Sequence, residues 1–140
     1  MIRYVLDTDI VSLLQRGDRI VEAHVASHEP DETATSIITV EEQLSAWYTL
    51  LRQARNAAAL VPVYQRMCDT VQFLSALPLA TFSDPAAKTY ERLRDQHRRI
   101  GRMDLRIAAI ALSLSATLVT RNLADFQPIT NLVVEDWSRP

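Results

Sequence analysis

The sequence predicts an α/β chain with a central parallel sheet and helices on both faces. Three observations predict it. Short runs rich in β-branched residues alternate with longer stretches of helical apolar spacing. One helical stretch, Asp104 to Ala116, is apolar on nearly every side, as a helix buried against a sheet requires. Strands separated by helices pair in parallel, because a parallel return needs a crossover.

The elements follow in order. Arg3 to Asp7 reads as a buried strand. A helix from Ile10 to Gln15 is ended by Gly17, and a second spans Asp18 to Ser27. Glu29-Pro30-Asp31-Glu32 is a turn, and Thr33 to Ile38 is the next strand. A long helix begins near Thr39, its Val40, Leu44, Trp47 and Leu51 forming one apolar stripe. A partner helix spans Ala57 to Ala76, with Pro62 near its start, and the two form a helical hairpin. Pro78 to Phe82 is a short strand, and Ser83-Asp84-Pro85 opens a helix to about Arg99. After the apolar helix come a strand at Thr117 to Thr120, a short turn or helix at Asn122 to Phe126, and a last strand at Leu132 to Val134.

The 140 residues are 48% hydrophobic, which suits one domain over 1–140 with a real core. No apolar run approaches the roughly 18 residues that cross a bilayer, and the charged N-terminal stretch does not read as a signal peptide. The single cysteine, Cys68, excludes an internal disulfide and a cysteine zinc site and suits a reducing cytoplasm. A net charge of −2 gives no global attraction for nucleic acid. The basic residues are instead local: Arg92, Arg94, Arg98, Arg99, Arg102 and Arg106 crowd one stretch around His97. That stretch is either a solvated helix face or a contact for a phosphate backbone.

Four acids carry the chemistry. Asp7 ends the first strand, Glu42 lies in the first turn of the helix after the second, Asp104 starts the apolar helix, and Asp125 follows the Thr117 strand. In a parallel sheet these places share one edge, where functional groups gather. Each has an ordinary alternative. Thr39-x-x-Glu42 matches a capping box, Asp104 and Asp9 can cap their helices, and Asn122 to Asp125 can be a capped turn. Together the acids repel one another, and a divalent cation relieves the conflict. Magnesium and manganese prefer oxygen ligands and suit phosphodiester chemistry. His24, His28 and His97 show no ligand spacing.

Four stretches resemble the PIN domain, and especially the VapC toxins of toxin–antitoxin pairs: Tyr4 to Ile10, Thr35 to Glu42, Asp104 to Ala109, and Leu118 to Phe126. The resemblance implies a PIN-like three-layer α/β/α fold and a magnesium- or manganese-dependent endoribonuclease. It carries the family's acids onto Asp7, Glu42 and Asp104. The fourth acid is assigned to Asp125, with Asn122 kept as a polar ligand or water-positioning group. Thr8, Ser36 and Thr120 are expected to support these acids through their hydroxyls. Metal ligands are expected at Asp7, Asp104 and Asp125, and RNA contacts at Arg98, Arg99 and Arg102. The resemblance also implies an RNA substrate, a cognate antitoxin and a homodimer. Trp47, Tyr48 and Leu51 of the hairpin serve either such an interface or the core.

Two rivals remain. Asp7-Thr8-Asp9-Ile10-Val11 also fits the opening of haloacid-dehalogenase-type phosphatases, but Lys88 is the only lysine and no Asp-Asp pair appears. A non-catalytic PIN-like module that binds RNA or protein is the second, kept open by Asn122.

Overall fold

The computed structural model describes residues 1–140. Its five strands are β1 (Tyr4–Leu6), β2 (Thr33–Ser36), β3 (Leu79–Ala80), β4 (Thr117–Val119) and β5 (Val134–Glu135). They form one sheet in the order β3-β2-β1-β4-β5, parallel throughout. Seven helices surround it: α1 (Thr8–Gln15), α2 (Arg19–Ala26), α3 (Ile37–Gln53), α4 (Ala57–Ser75), α5 (Asp84–Gln96), α6 (Arg102–Ser113) and α7 (Leu123–Phe126). The predicted fold class therefore holds.

Alternate strand residues face opposite layers. Val5, Ala34, Ala80 and Leu118 pack with α5, α6 and Phe126 on one face. Leu6 and Val119 pack with Ile10, Val11, Val21, Leu74 and Trp137 on the other. Helix α6 is the apolar helix of the sequence, with Leu105 and Ile107 through Ala111 all buried. Gly17 ends α1 with φ +77°, the left-handed conformation that glycine adopts without a Cβ clash.

Several boundaries differ from expectation. Helices α1 and α6 start at Thr8 and Arg102, each two residues early, and β3 is only Leu79–Ala80. Strand β2 stops at Ser36, and Ile37 and Ile38 already belong to α3. Ser36 Oγ accepts from Thr39 N at 3.2 Å and caps the helix. The capping box built on Thr39 and Glu42 therefore does not form, and Glu42 lies beyond the first turn. Helix α5 stops at Gln96, with His97 at φ −131° and ψ 66°, so Arg98 and Arg99 sit in a turn rather than on a helix face. The last strand is Val134–Glu135, later than the expected Leu132 to Val134.

The hairpin of α3 and α4 is only partly absorbed into the core. Its expected stripe of Val40, Leu44, Trp47 and Leu51 is half-buried, and Trp47 Nε1 donates to the buried Thr70 hydroxyl at 2.9 Å. Tyr48, Leu50, Val61, Tyr64 and Val71 remain exposed. No helix is long and apolar enough to cross a membrane.

Candidate functional site

Strand β1 is the middle of the sheet, and the chain order reverses on its two sides. A crevice opens at such a switch point, beyond the carboxyl ends of the strands. Asp7 stands there because it is the first residue after β1. Its backbone N donates to Val119 O at 2.8 Å, which prolongs the pairing with β4 by one step.

Asp7 is only 7% exposed. Thr8 N donates to its Oδ1 at 2.8 Å, and the buried Thr120 hydroxyl donates to its Oδ2 at 2.8 Å. Thr120 is held in turn by its own N bonding to Glu135 O, while Asn122 N donates to Thr120 Oγ1 at 3.0 Å. Burial pushes the Asp7 carboxyl up to about 6, helped by the charges of Asp9 and Asp104 and opposed by the Thr120 and Thr8 bonds.

Glu42 enters from α3. Thr8 Oγ1 donates to Glu42 Oε1 at 2.8 Å. Thr8 has one hydroxyl proton, so the Thr39 hydroxyl 2.9 Å away must donate to Thr8. The result is a relay from the fully buried Thr39 through Thr8 to Glu42. Burial raises the Glu42 carboxyl, and the charges of Asp104 and Glu41 raise it further.

Asp104 lies in the first turn of α6, whose N-cap is Gly101 with no side-chain cap bond. It is therefore not the cap. Burial raises its carboxyl first, then the charges of Asp125 and Asp9. Asp125 is exposed on α7 and accepts from Asn122 Nδ2 at 2.6 Å. The fold thus brings Asp7, Glu42, Asp104 and Asp125 to one edge. Thr8, Thr120 and Asn122 touch them directly, whereas Ser36 spends its hydroxyl on the α3 cap.

Three residues were missed or misread. Asp9, read only as a cap, has one buried oxygen, Oδ1, without a hydrogen-bond partner. Its Oδ2 pairs with Arg121 Nε at 3.3 Å. Thr39, read as the start of a helix, is the buried donor behind Thr8. The signal was present for Asp9 and Arg121, since both stand inside the quoted stretches, but their pairing spans 112 residues.

The expected arginines are exposed. Arg98, Arg99 and Arg102 lie in and just after the turn between α5 and α6, and Arg98 and Arg102 line a hollow of about 320 Å³ with His97 and Ile100. Arg94 and Arg106 instead lie over the Tyr90 ring, at 5.9 and 5.4 Å. A larger cavity of about 560 Å³ lies away from the acids, between Gln15, Trp47 and α4.

The donor set is all oxygen, which suits a hard divalent cation, and the orphaned Asp9 Oδ1 is an oxygen lacking a cation or donor. The side chains stand near one another without closing into a cage: no three acids or histidines meet at metal-holding distance.

A parallel sheet of this order, with acids from β1, α3, α6 and α7 gathered at its carboxyl edge, defines a PIN-type nuclease fold. The chain is 31% identical to ribonuclease VapC1 of Haemophilus influenzae over 97% of its own length and 98% of that protein. It superposes on VapBC2 from Rickettsia felis, solved bound to a DNA fragment from their promoter, with a TM-score of 0.75 and 28% identity over 98% of this chain and 99% of that one. VapBC-1 from nontypeable Haemophilus influenzae gives a TM-score of 0.75 and 28% identity, covering 99% of this chain and 100% of that one. No family model matches. The chain belongs to the VapC family of PIN-domain ribonuclease toxins. Membership across nearly its full length sets aside the phosphatase reading.

Proposed function

We propose that this chain is a magnesium- or manganese-dependent endoribonuclease, cutting RNA phosphodiesters at the edge formed by Asp7, Glu42, Asp104 and Asp125. The observation that carries the reading is the buried Asp7 carboxylate, raised to about 6 by its burial and by the charges of Asp9 and Asp104. A fold does not keep such a group in place for stability alone, because its ionised form opposes folding.

Asp7, Asp104 and Asp125 would hold the cation, with Glu42 as a further ligand or as a base through a water. The cation supplies neutralisation of the crowded charge and an acidified water for attack on phosphorus. The protein's own groups do the rest. Thr120 and Thr8 N fix both oxygens of Asp7, so its orientation is set before substrate arrives. Thr39 and Thr8 fix Glu42. Its raised carboxyl makes the ionised form a stronger proton acceptor than an ordinary carboxylate. Arg98, Arg99 and Arg102 contact the RNA backbone.

The VapBC assemblies among the structural neighbours support a cognate antitoxin as partner. The exposed apolar side chains of the α3–α4 hairpin support a protein interface there, either with the antitoxin or in a homodimer. A cytoplasmic location goes with such a pair.

The test is incubation of the purified protein with total RNA in magnesium, manganese or EDTA, followed by mapping of the cut ends. Internal cuts that require the metal, and that vanish in Asp104→Asn, are expected. RNA binding without metal-dependent cutting would leave the non-catalytic module as the better reading.

A further inference from the structure

An edge made of carboxylates repels the phosphates it must receive. A cation beside the acids is therefore needed on the protein side as well. The structure has five ion pairs, and one of them reaches an acid of this edge: Arg121 with Asp9. Arg121 directly follows Thr120, the residue that holds Asp7.

The geometry of the pair is specific. Asp9 Oδ2 accepts from Nε of Arg121 at 3.3 Å. A contact through Nε anchors the guanidinium by its inner corner and leaves both terminal nitrogens free. The side chain remains 51% exposed, and no other hydrogen bond or ion pair engages the guanidinium. The other acid near Arg121 is Asp136, and its oxygens are already taken by Ser138 and by Arg139. A guanidinium fork matches two phosphate oxygens, and pre-fixing its plane lowers the entropy cost of that contact.

We propose that Arg121 is a substrate-contacting residue, binding the RNA phosphate at the acid edge, and that Asp9 positions it. This inference rests on the proposed RNA cleavage at that edge. It distinguishes Arg121 from Arg98, Arg99 and Arg102, which carry no anchoring carboxylate. It also separates the two oxygens of Asp9: Oδ2 holds the arginine, and Oδ1 is buried without a hydrogen-bond partner.

The experiment measures RNA binding by the cleavage-deficient Asp104→Asn protein over a salt series, with Arg121→Gln and Arg121→Lys added in turn. Arg121→Gln is expected to weaken binding about tenfold and to shrink the log–log salt slope by about 0.7, one phosphate contact. Arg121→Lys keeps the charge without the fork. It should restore the slope and only part of the affinity. In a double-mutant cycle, Asp9→Asn should weaken RNA binding when Arg121 is present and add little when it is Gln. Manganese binding by Arg121→Gln, measured calorimetrically, should be unchanged or tighter, because a positive charge has left the edge. Unchanged RNA affinity and slope in Arg121→Gln, with altered manganese binding only, would make Arg121 a mere counter-charge for Asp9 and overturn the proposal. Additive effects of the two changes would remove Asp9 from the positioning role. If the unsubstituted protein cuts no RNA in magnesium or manganese, the reading of the whole edge fails, which the cleavage assay reports separately.

Discussion

Asp7 follows β1 and Asp125 lies on α7, and the protein treats these two acids of the edge differently. Asp7 is sealed, with both oxygens bonded to β1–α1 backbone and to Thr120. Asp125 sits exposed on a one-turn helix, with Asn122 as its single side-chain partner. Rigidity and desolvation are concentrated on the sheet side, and the α7 side stays open to water. The fixed acid sets the geometry of the edge, while the open acid adds charge to it.

The contrast predicts the largest effects at the inner acids. Asp7→Asn and Asp104→Asn should each reduce RNA cleavage about 100-fold or more, since outer partners of metal ligands alone account for 10–100-fold. Asp104→Asn should fold normally by circular dichroism, because no cap bond is lost. Full activity in either variant would remove that residue from the site. Thr120→Val is expected to come next, with a loss of about 10–100-fold in metal affinity, because Asp7 loses its buried donor.

The same burial predicts a stability effect of the opposite sign. Burial holds the Asp7 carboxyl at about 6 in the folded chain, against an ordinary value of 3.8. Between those values the folded chain binds a proton that the unfolded chain has released. Stability therefore rises as pH falls from above 6 toward 4, and is lost as pH rises through that window. Asp7→Asn removes the burden and should stabilise the metal-free protein by about 2–3 kcal/mol at pH 7. Urea unfolding of both proteins at pH 5 and pH 7 checks it, and a destabilised Asn variant at pH 7 would contradict it.

Asp125→Asn should weaken manganese binding by about tenfold or less, and Asn122→Ala by less still, since only the first removes a charge from the edge. The reverse ranking would move the fourth role to Asn122. The smallest effect belongs to the outer arginines. Gln at both Arg98 and Arg99 should lower the salt slope of RNA binding by about 1.4 at most, with metal affinity unchanged. An unchanged slope would leave them as a solvated turn.

Much of this was legible in the sequence because it depends on local pattern. Asp7 and Asp104 stand at changes of period, from strand to helix and from turn to buried helix. The sheet follows from the alternation of the two. The start of α3 was misplaced because Ile37 and Ile38 favour strands by their branching, yet Ser36 supplies a cap that overrides the preference. The end of α5 was misplaced because arginines favour helices and nothing in composition marks the break at His97. The Thr39–Thr8–Glu42 relay and the Arg121–Asp9 pair were invisible for a different reason. Each joins residues from separate elements, and only the folded sheet edge brings them within bonding distance.

The central claim is that acids from four elements act as one cation site. Calorimetric titration of manganese into the protein, with magnesium as competitor, tests it most directly. The account predicts binding that is lost in both Asp7→Asn and Asp104→Asn and kept in Asp69→Asn, an acid of α4 that lines the separate cavity beside Trp47. Binding that survives both inner substitutions would contradict it.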